Sequence, residues 1–226
     1  MGRGTPEQKK KGSDFRAALL CGAAGLAFFS DCYRYPDEID QALYELRITE
    51  IQYNPVDTAG FPSDSLEFIE LKNVGTVAID LSTCSFTEGI EYVFPKGAHV
   101  DPGGFYVIAS SRNGFNAAYG FYPDGVFEKR LSNSTDTIVL TDDYTELAVL
   151  TQSYEDGSDW PAEADGQGHS IVPVAVDPPR NPTGPQEWRR SVGKYGSPGR
   201  DDILQPRGES LNDLRVTEIL LPRVGS

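Results

Sequence analysis

The sequence is short of the residues that most often do chemistry. Its 226 residues include two histidines, three cysteines, one methionine and two tryptophans. His99 and His169 are far apart in the chain, and no nucleophile elbow or activated-cysteine context accompanies them. Composition alone permits a serine–histidine–aspartate set, but no motif supports one, and no catalytic function is expected. Positive charge is scarce too: 20 Lys and Arg stand against 34 Asp and Glu, a formal charge of −14. Residues 1–32 hold five basic and three acidic groups, so the remainder carries 15 against 31, or −16. Such a body repels phosphate backbones, which argues against wide nucleic-acid binding. It suits a soluble extracellular module, one able to meet divalent cations.

Long apolar runs are also missing. The longest, Ala17–Phe29, has thirteen residues, fewer than the ~18–20 of a membrane-spanning helix. Lys9, Lys10, Lys11 and Arg16 precede it, giving a basic stretch followed by an apolar one, the layout of a secretory signal. Residues 1–32 are therefore read as a signal peptide or short membrane anchor, with a buried helix as the rival. No small-x-small cleavage site stands out before Cys32. A cysteine directly after the apolar run is where bacterial lipoproteins are anchored, yet Asp31 stands where a small residue is wanted. An unmodified Cys32 in a tether is the plainer reading. A Cys32–Cys84 bridge is conceivable if cleavage precedes Cys32, but Cys84 reads better as a small buried residue.

Turn formers and aromatics are plentiful: 23 Gly, 16 Pro, 11 Tyr and 11 Phe. That mixture favours many short strands over long helices. After an acidic tether at 33–45, with at most one helical turn around Ile39–Tyr44, Leu46 and Ile48 alternate. Ile51 and Tyr53 then follow one position out of phase, which predicts a β-bulge at Thr49-Glu50. Further strands are expected at Glu67–Lys72, Ile79–Leu81, Cys84–Phe86, Tyr92–Phe94, Phe105–Ser110, around Phe127, at Ile138–Leu140, Leu147–Tyr154 and His169–Val174. One helix, Arg112–Tyr119, is capped by Gly120. Eight or nine short strands at hairpin spacing predict a β-sandwich over 46–199. Its core is expected to hold Ile48, Ile51, Ile69, Leu71, Phe86, Val107, Ile138, Leu140 and Ile171.

Residues 200–213 read as a polar linker. Leu214-Arg215-Val216-Thr217-Glu218-Ile219 then restates Leu46-Arg47-Ile48-Thr49-Glu50-Ile51, phase slip included. Five of six positions are identical, and the sixth exchanges two β-branched residues. Residues 214–226 are read as the first strand of a second, truncated repeat. The alternative is pairing with the first domain or a neighbouring chain.

Several motifs in order resemble one family, the lamin tail domain in its bacterial extracellular form. They are Leu46–Pro55, Phe68–Gly75, Ile79–Ser82, Pro102–Phe105, the Phe115–Tyr119 helix and Leu131–Thr137. Trp160-Pro161, Asp165–Ser170, Trp188 and Gly196-Ser197-Pro198-Gly199 complete the series. The resemblance implies an all-β, immunoglobulin-like β-sandwich with one short helix, behind an N-terminal hydrophobic signal or anchor segment. It also implies a binding or structural module of a secreted or cell-surface protein. Such domains resemble appendages, sometimes beside nucleases, phosphatases or kinase-like domains. An accessory domain of a larger secreted hydrolase or kinase-like enzyme, catalytic beyond the C-terminus, is thus the rival reading. The family offers no catalytic residue to transfer.

The densest acidic loop, Tyr154–Gly166, packs five carboxylates into eleven residues. Calcium takes six to eight oxygens from flexible loops, so Asp156, Asp159, Glu163 and Asp165 are candidate ligands. The spacing matches neither an EF-hand nor an RTX repeat, and a solvated acidic loop is the plainer reading. No other cofactor is expected. Trp160 reads as core or loop packing, with a carbohydrate platform as the sharper alternative. Asn133-Ser134-Thr135 fits a glycosylation sequon but reads as a polar turn. The loops Asn54–Ser65 and Pro95–Asp101 are candidate surfaces for a protein or cell-envelope ligand. Membrane contact is expected only through the N-terminal segment.

Overall fold

An extra residue in the first strand sets the geometry of the domain. A computed structural model of the chain describes residues 38–203 other than Ala59 and Ser158. In it β1 (Leu46–Gln52) pairs antiparallel with β2 (Phe68–Asn73), Ile48 opposite Leu71 and Glu50 opposite Glu70. The register shifts between Ile48 and Glu50, so Thr49 is the bulged residue. The bulge lets Leu46, Ile48, Ile51 and Tyr53 all join one core despite their broken alternation.

The remaining strands are β3 (Ile79–Asp80), β4 (Cys84–Glu88), β5 (Tyr92–Val93), β6 (His99–Val100) and β7 (Phe105–Ala109). The helix α1 (Arg112–Tyr119) follows, then β8 (Gly125–Val126), β9 (Thr135–Asp142), β10 (Leu147–Glu155), β11 (Ile171–Pro173) and β12 (Trp188–Arg190). Six form a sheet in the order β12-β11-β1-β2-β7-β8, four form β10-β9-β4-β5, and β3 with β6 makes a small ribbon. Ile48, Leu71 and Ile171 from the larger sheet share one core with Phe86, Ile138 and Leu140 from the smaller. The described residues thus form a mostly β domain with one α-helix, consistent with an immunoglobulin-like sandwich. Cys84 is fully buried in it. The strands absent from the sequence reading, β6 and β12, have two or three residues, too few to display a period.

Two expectations change. Val107 does not enter the sandwich core; it lies in a separate cluster with Phe68, Ala109 and Phe115, which α1 closes over the outer face of the larger sheet. The helix can lie this close because a Cβ at Gly114 would sit 2.2 Å from the Ser65 carbonyl oxygen. As expected, Gly120 ends the helix in the left-handed region, while Ser111 caps its start by accepting from the Gly114 amide. The second change concerns residues 33–45. Ile39 and Leu43 are buried in the main core, and Asp40 caps a 3₁₀ turn over Gln41–Glu45, so the domain begins ahead of β1. Ala17–Phe29, Cys21, Cys32, residues 204–213 and the repeat at Leu214–Ile219 lie outside the described residues.

Leu71 is fully buried at the centre of the main core. Leu71→Ala is expected to cost about 2–5 kcal/mol, transfer and cavity together. In urea unfolding that corresponds to a midpoint lowered by roughly 1 M or more; a shift below about 0.3 M would contradict this placement.

Candidate functional site

A free sheet would turn the polar residues of β1 and β2 to water. Here every position of both strands is buried, Glu50 and Glu70 at 1% exposure each. Their cover is the chain end, residues 177–202, which crosses the sheet as an irregular strap. Arg47 donates from Nε to the Pro178 carbonyl and from Nη2 to that of Pro179, both at 2.9 Å. The Ile48 amide donates to Asn181 Oδ1 at 3.1 Å. Lys72 Nζ meets Asp177 and Asp201 at 2.5 Å each.

The two glutamates hold the Gly196-Ser197-Pro198-Gly199 turn. Glu50 accepts from the Ser197 amide at 3.0 and 3.1 Å and from the Ser170 hydroxyl. Glu70 accepts from the Gly199 amide and from Thr49 Oγ1, both at 2.6 Å. Gly196 has φ +79°, and a Cβ there would fall 1.9 Å from Glu50 Oε1; no other residue fits over that carboxyl. The space left between strap and sheet is about 20 Å³, room for one water and no substrate. The arrangement is a fastening.

Burial pushes the Glu50 carboxyl well above the usual carboxylate range, and the adjacent Glu70 adds to this against the bonds from Ser170 and Ser197. Burial likewise raises Glu70 to about 8, opposed by its bonds from Thr49 and Gly199. Glu67, buried and bonded to the Leu131 amide at 3.0 Å, also rises to about 8. The strap is held by these buried carboxyls, pushed toward their neutral form, together with the contacts of Arg47 and Lys72.

The acidic loop after β10 behaves differently. Asp156, Asp159 and Asp165 are exposed and Glu163 is half-buried. Glu163 lies 3.5 Å from Arg190 Nε, and Asp165 Oδ1 accepts from Asn54 Nδ2 at 2.6 Å. Two of the four candidate ligands thus have protein partners, and among the described residues no three His, Cys, Asp or Glu side chains are grouped to hold a metal ion. The histidines are apart as well: His99 is in the β3–β6 ribbon, and His169, just before β11, places Nδ1 3.0 Å from the Ser191 carbonyl. The 132–135 segment is a turn in which Ser132 Oγ accepts from the Ser134 and Thr135 amides.

One groove of about 320 Å³ opens beside this loop. Ser153, Glu155, Gly157, Asp159 and Trp160 form one side, and Thr183 and Pro185 the other. Trp160 packs partly against the main core, its ring 6.5 Å from that of the buried Trp188 at an interplanar angle of 32°. Thr183 is fixed by Glu187, which accepts from its amide at 2.8 Å and its hydroxyl at 3.1 Å. Neither the fastening nor the groove was assembled from sequence. The available signal for the first was the recurrence of Arg, Thr and Glu in the repeat at Leu214. For the second, the two walls are some thirty residues apart.

A sandwich whose buried acids fasten its own chain, with a groove and loops at its surface, defines a non-catalytic binding or structural module. The family model for the Lamin Tail Domain matches residues 40–155, from the turn before β1 to the end of β10, and the chain belongs to that family. No curated protein matches it. Among solved structures, a DUF4876 family protein from Bacteroides thetaiotaomicron VPI-5482 is similar at 12% identity over 73% of each chain. Its TM-score of 0.41 is an overlap too loose to bear on function.

The raised carboxyls set the sign of the pH dependence. Glu67 and Glu70 titrate near 4.5 when unfolded and near 8 when folded. The stability they confer as neutral groups is whole below about 4.5 and is lost as pH rises through about 8. Denaturant midpoints are expected to fall between about pH 5 and pH 8, and Glu70→Gln to flatten that fall. A midpoint that rises over this window would contradict the burial of these groups as acids.

Proposed function

We propose that this chain is an exported, non-catalytic binding or structural module that displays its loops and groove outside the cytoplasm. The observation that carries this is the use of its buried acids: Glu50 and Glu70 face the strap, with no room for a substrate between. Family membership supports the same reading. Nothing in the fold or the family match favours an accessory domain of a hydrolase or kinase-like enzyme. Export is supported by the basic stretch Lys9–Lys11 and Arg16 before the apolar run Ala17–Phe29. Its partner is a protein or cell-envelope ligand, and any contact with a membrane runs through the N-terminal segment or a lipid on Cys32. The repeat at Leu214 begins a second module of the same plan.

Fractionation of a bacterial host expressing the full chain tests export. The chain is expected outside the cytoplasm and Leu20→Arg, which breaks the apolar run, inside it; cytoplasmic wild-type protein would sink the proposal. Incorporation of a palmitate analogue, compared between wild type and Cys32→Ser, separates a lipid anchor from a plain signal.

Calcium is checked by melting with added Ca²⁺ and with chelator. With Glu163 and Asp165 already engaged, no difference in Tm is expected. A higher Tm in calcium would support Asp156, Asp159, Glu163 and Asp165 as ligands.

A further inference from the structure

We propose that the groove beside Trp160 is a glycan-binding site that takes a neutral pyranose ring. The inference builds on the reading of this chain as a binding module and names the class of ligand. Trp160 lines the groove, half-buried, with its ring near that of Trp188 and packed against the core. The Trp160 amide donates to the Gly157 carbonyl at 2.9 Å, which closes the turn that carries the ring. A large aromatic surface fixed before binding offers contact area at little cost in conformational freedom. A pyranose has a matching C–H face, and a ring laid on the indole directs its hydroxyls toward the rim.

The rim is made of groups that suit hydroxyls. Glu155 and Asp159 are acceptors, beside the hydroxyls of Ser153, shared with Thr137, and of Thr183, which donates to Glu187. Of the loop's carboxylates, Glu163 and Asp165 are engaged by Arg190 and Asn54. Glu155 and Asp159 face the groove with no ion pair or hydrogen bond among the described residues. Thr183 is held in place by Glu187. Gly157 adds no side chain to the wall.

Volume and charge narrow the choice. About 320 Å³ is at the small end of the roughly 300–1,000 Å³ of ligand pockets, enough for one or two sugar rings. No Lys, Arg or His lines the groove, so a sulfated, phosphorylated or uronic sugar would meet two carboxylates unopposed. The groups at the rim without a protein partner are the two carboxylates, which accept from the hydroxyls of a neutral sugar; a cation, which would use them with the indole face, is the competing outcome of the test.

The chain has only two tryptophans, and Trp188 is buried, so intrinsic fluorescence reports on the groove. The full chain is titrated with cellohexaose, maltohexaose, xylohexaose and chitohexaose, with polygalacturonate as an anionic arm and polylysine as a cationic one. A saturable change with at least one neutral oligosaccharide is expected, and none with polygalacturonate. The double variant Glu155→Gln, Asp159→Asn is expected to weaken that binding about tenfold or more with an unchanged melting temperature. Trp160→Phe, which keeps a ring against the core, is followed by calorimetry and is expected to weaken it several-fold. No saturation with any neutral oligosaccharide, saturation with polylysine alone, or binding indifferent to all three substitutions would overturn the proposal. Absence of binding by an exported chain removes this site only; a chain that stays in the cytoplasm bears on the module reading alone.

Discussion

The hydrogen bonds from the chain end to Glu50 and Glu70 are what allow β1 and β2 to be buried on both faces. A sheet can be covered by a helix, whose backbone satisfies itself, or by irregular chain, whose backbone does not. Both covers occur here on one surface. Phe68, Val107 and Ala109 meet α1 through Phe115, apolar against apolar. Beside them the strap brings unpaired amides and carbonyls, and the strands answer in kind. Glu50 and Glu70 accept the amides of Ser197 and Gly199, while Arg47 donates to the carbonyls of Pro178 and Pro179. Proline suits such a strap because it presents a carbonyl and brings no amide to satisfy.

Burial of acids normally counts against a fold, since an unpaired charge in the interior costs several kcal/mol. Two adjustments make it tolerable. The carboxyls shift toward their neutral form, and each accepts hydrogen bonds from the strap and from a neighbouring hydroxyl. Lys72, the cation among them, sits between Asp177 and Asp201 on the strap. Removing a single partner would leave the other buried and unanswered, so the strap and the two strands are expected to behave as one cooperative unit.

How much of this was legible depends on whether the information was local. The phase slip after Ile48 placed the bulge, because a period of two makes a single inserted residue visible. Arg112–Tyr119 was readable from its apolar spacing and Gly120. Alternation along one strand cannot say whether its second face is covered, so nothing in it marks Arg47, Glu50 and Glu70 as buried. Val107 was assigned to the wrong side of its sheet for the same reason. Ile39 and Leu43 were hidden in an acidic context, and the density of carboxylates around Asp159 said nothing about which of them would already be engaged. The groove needs Thr183 brought up to Ser153 and Trp160, a meeting that depends on the whole path of the strap.

The seven residues of β1 carry two messages at once. Leu46, Ile48 and Ile51 address the sandwich interior; Arg47 and Glu50 bond to the polypeptide that closes over them, and Thr49 to Glu70 of the next strand. Both sets return, in order, at Leu214, Val216 and Ile219 and at Arg215, Thr217 and Glu218. A repeat that copied only an apolar stripe would have been free to vary the intervening positions. This one keeps both the inward set and the polar set, so the hexapeptide that opens β1 recurs with charge and hydroxyl included, and not as an apolar pattern alone.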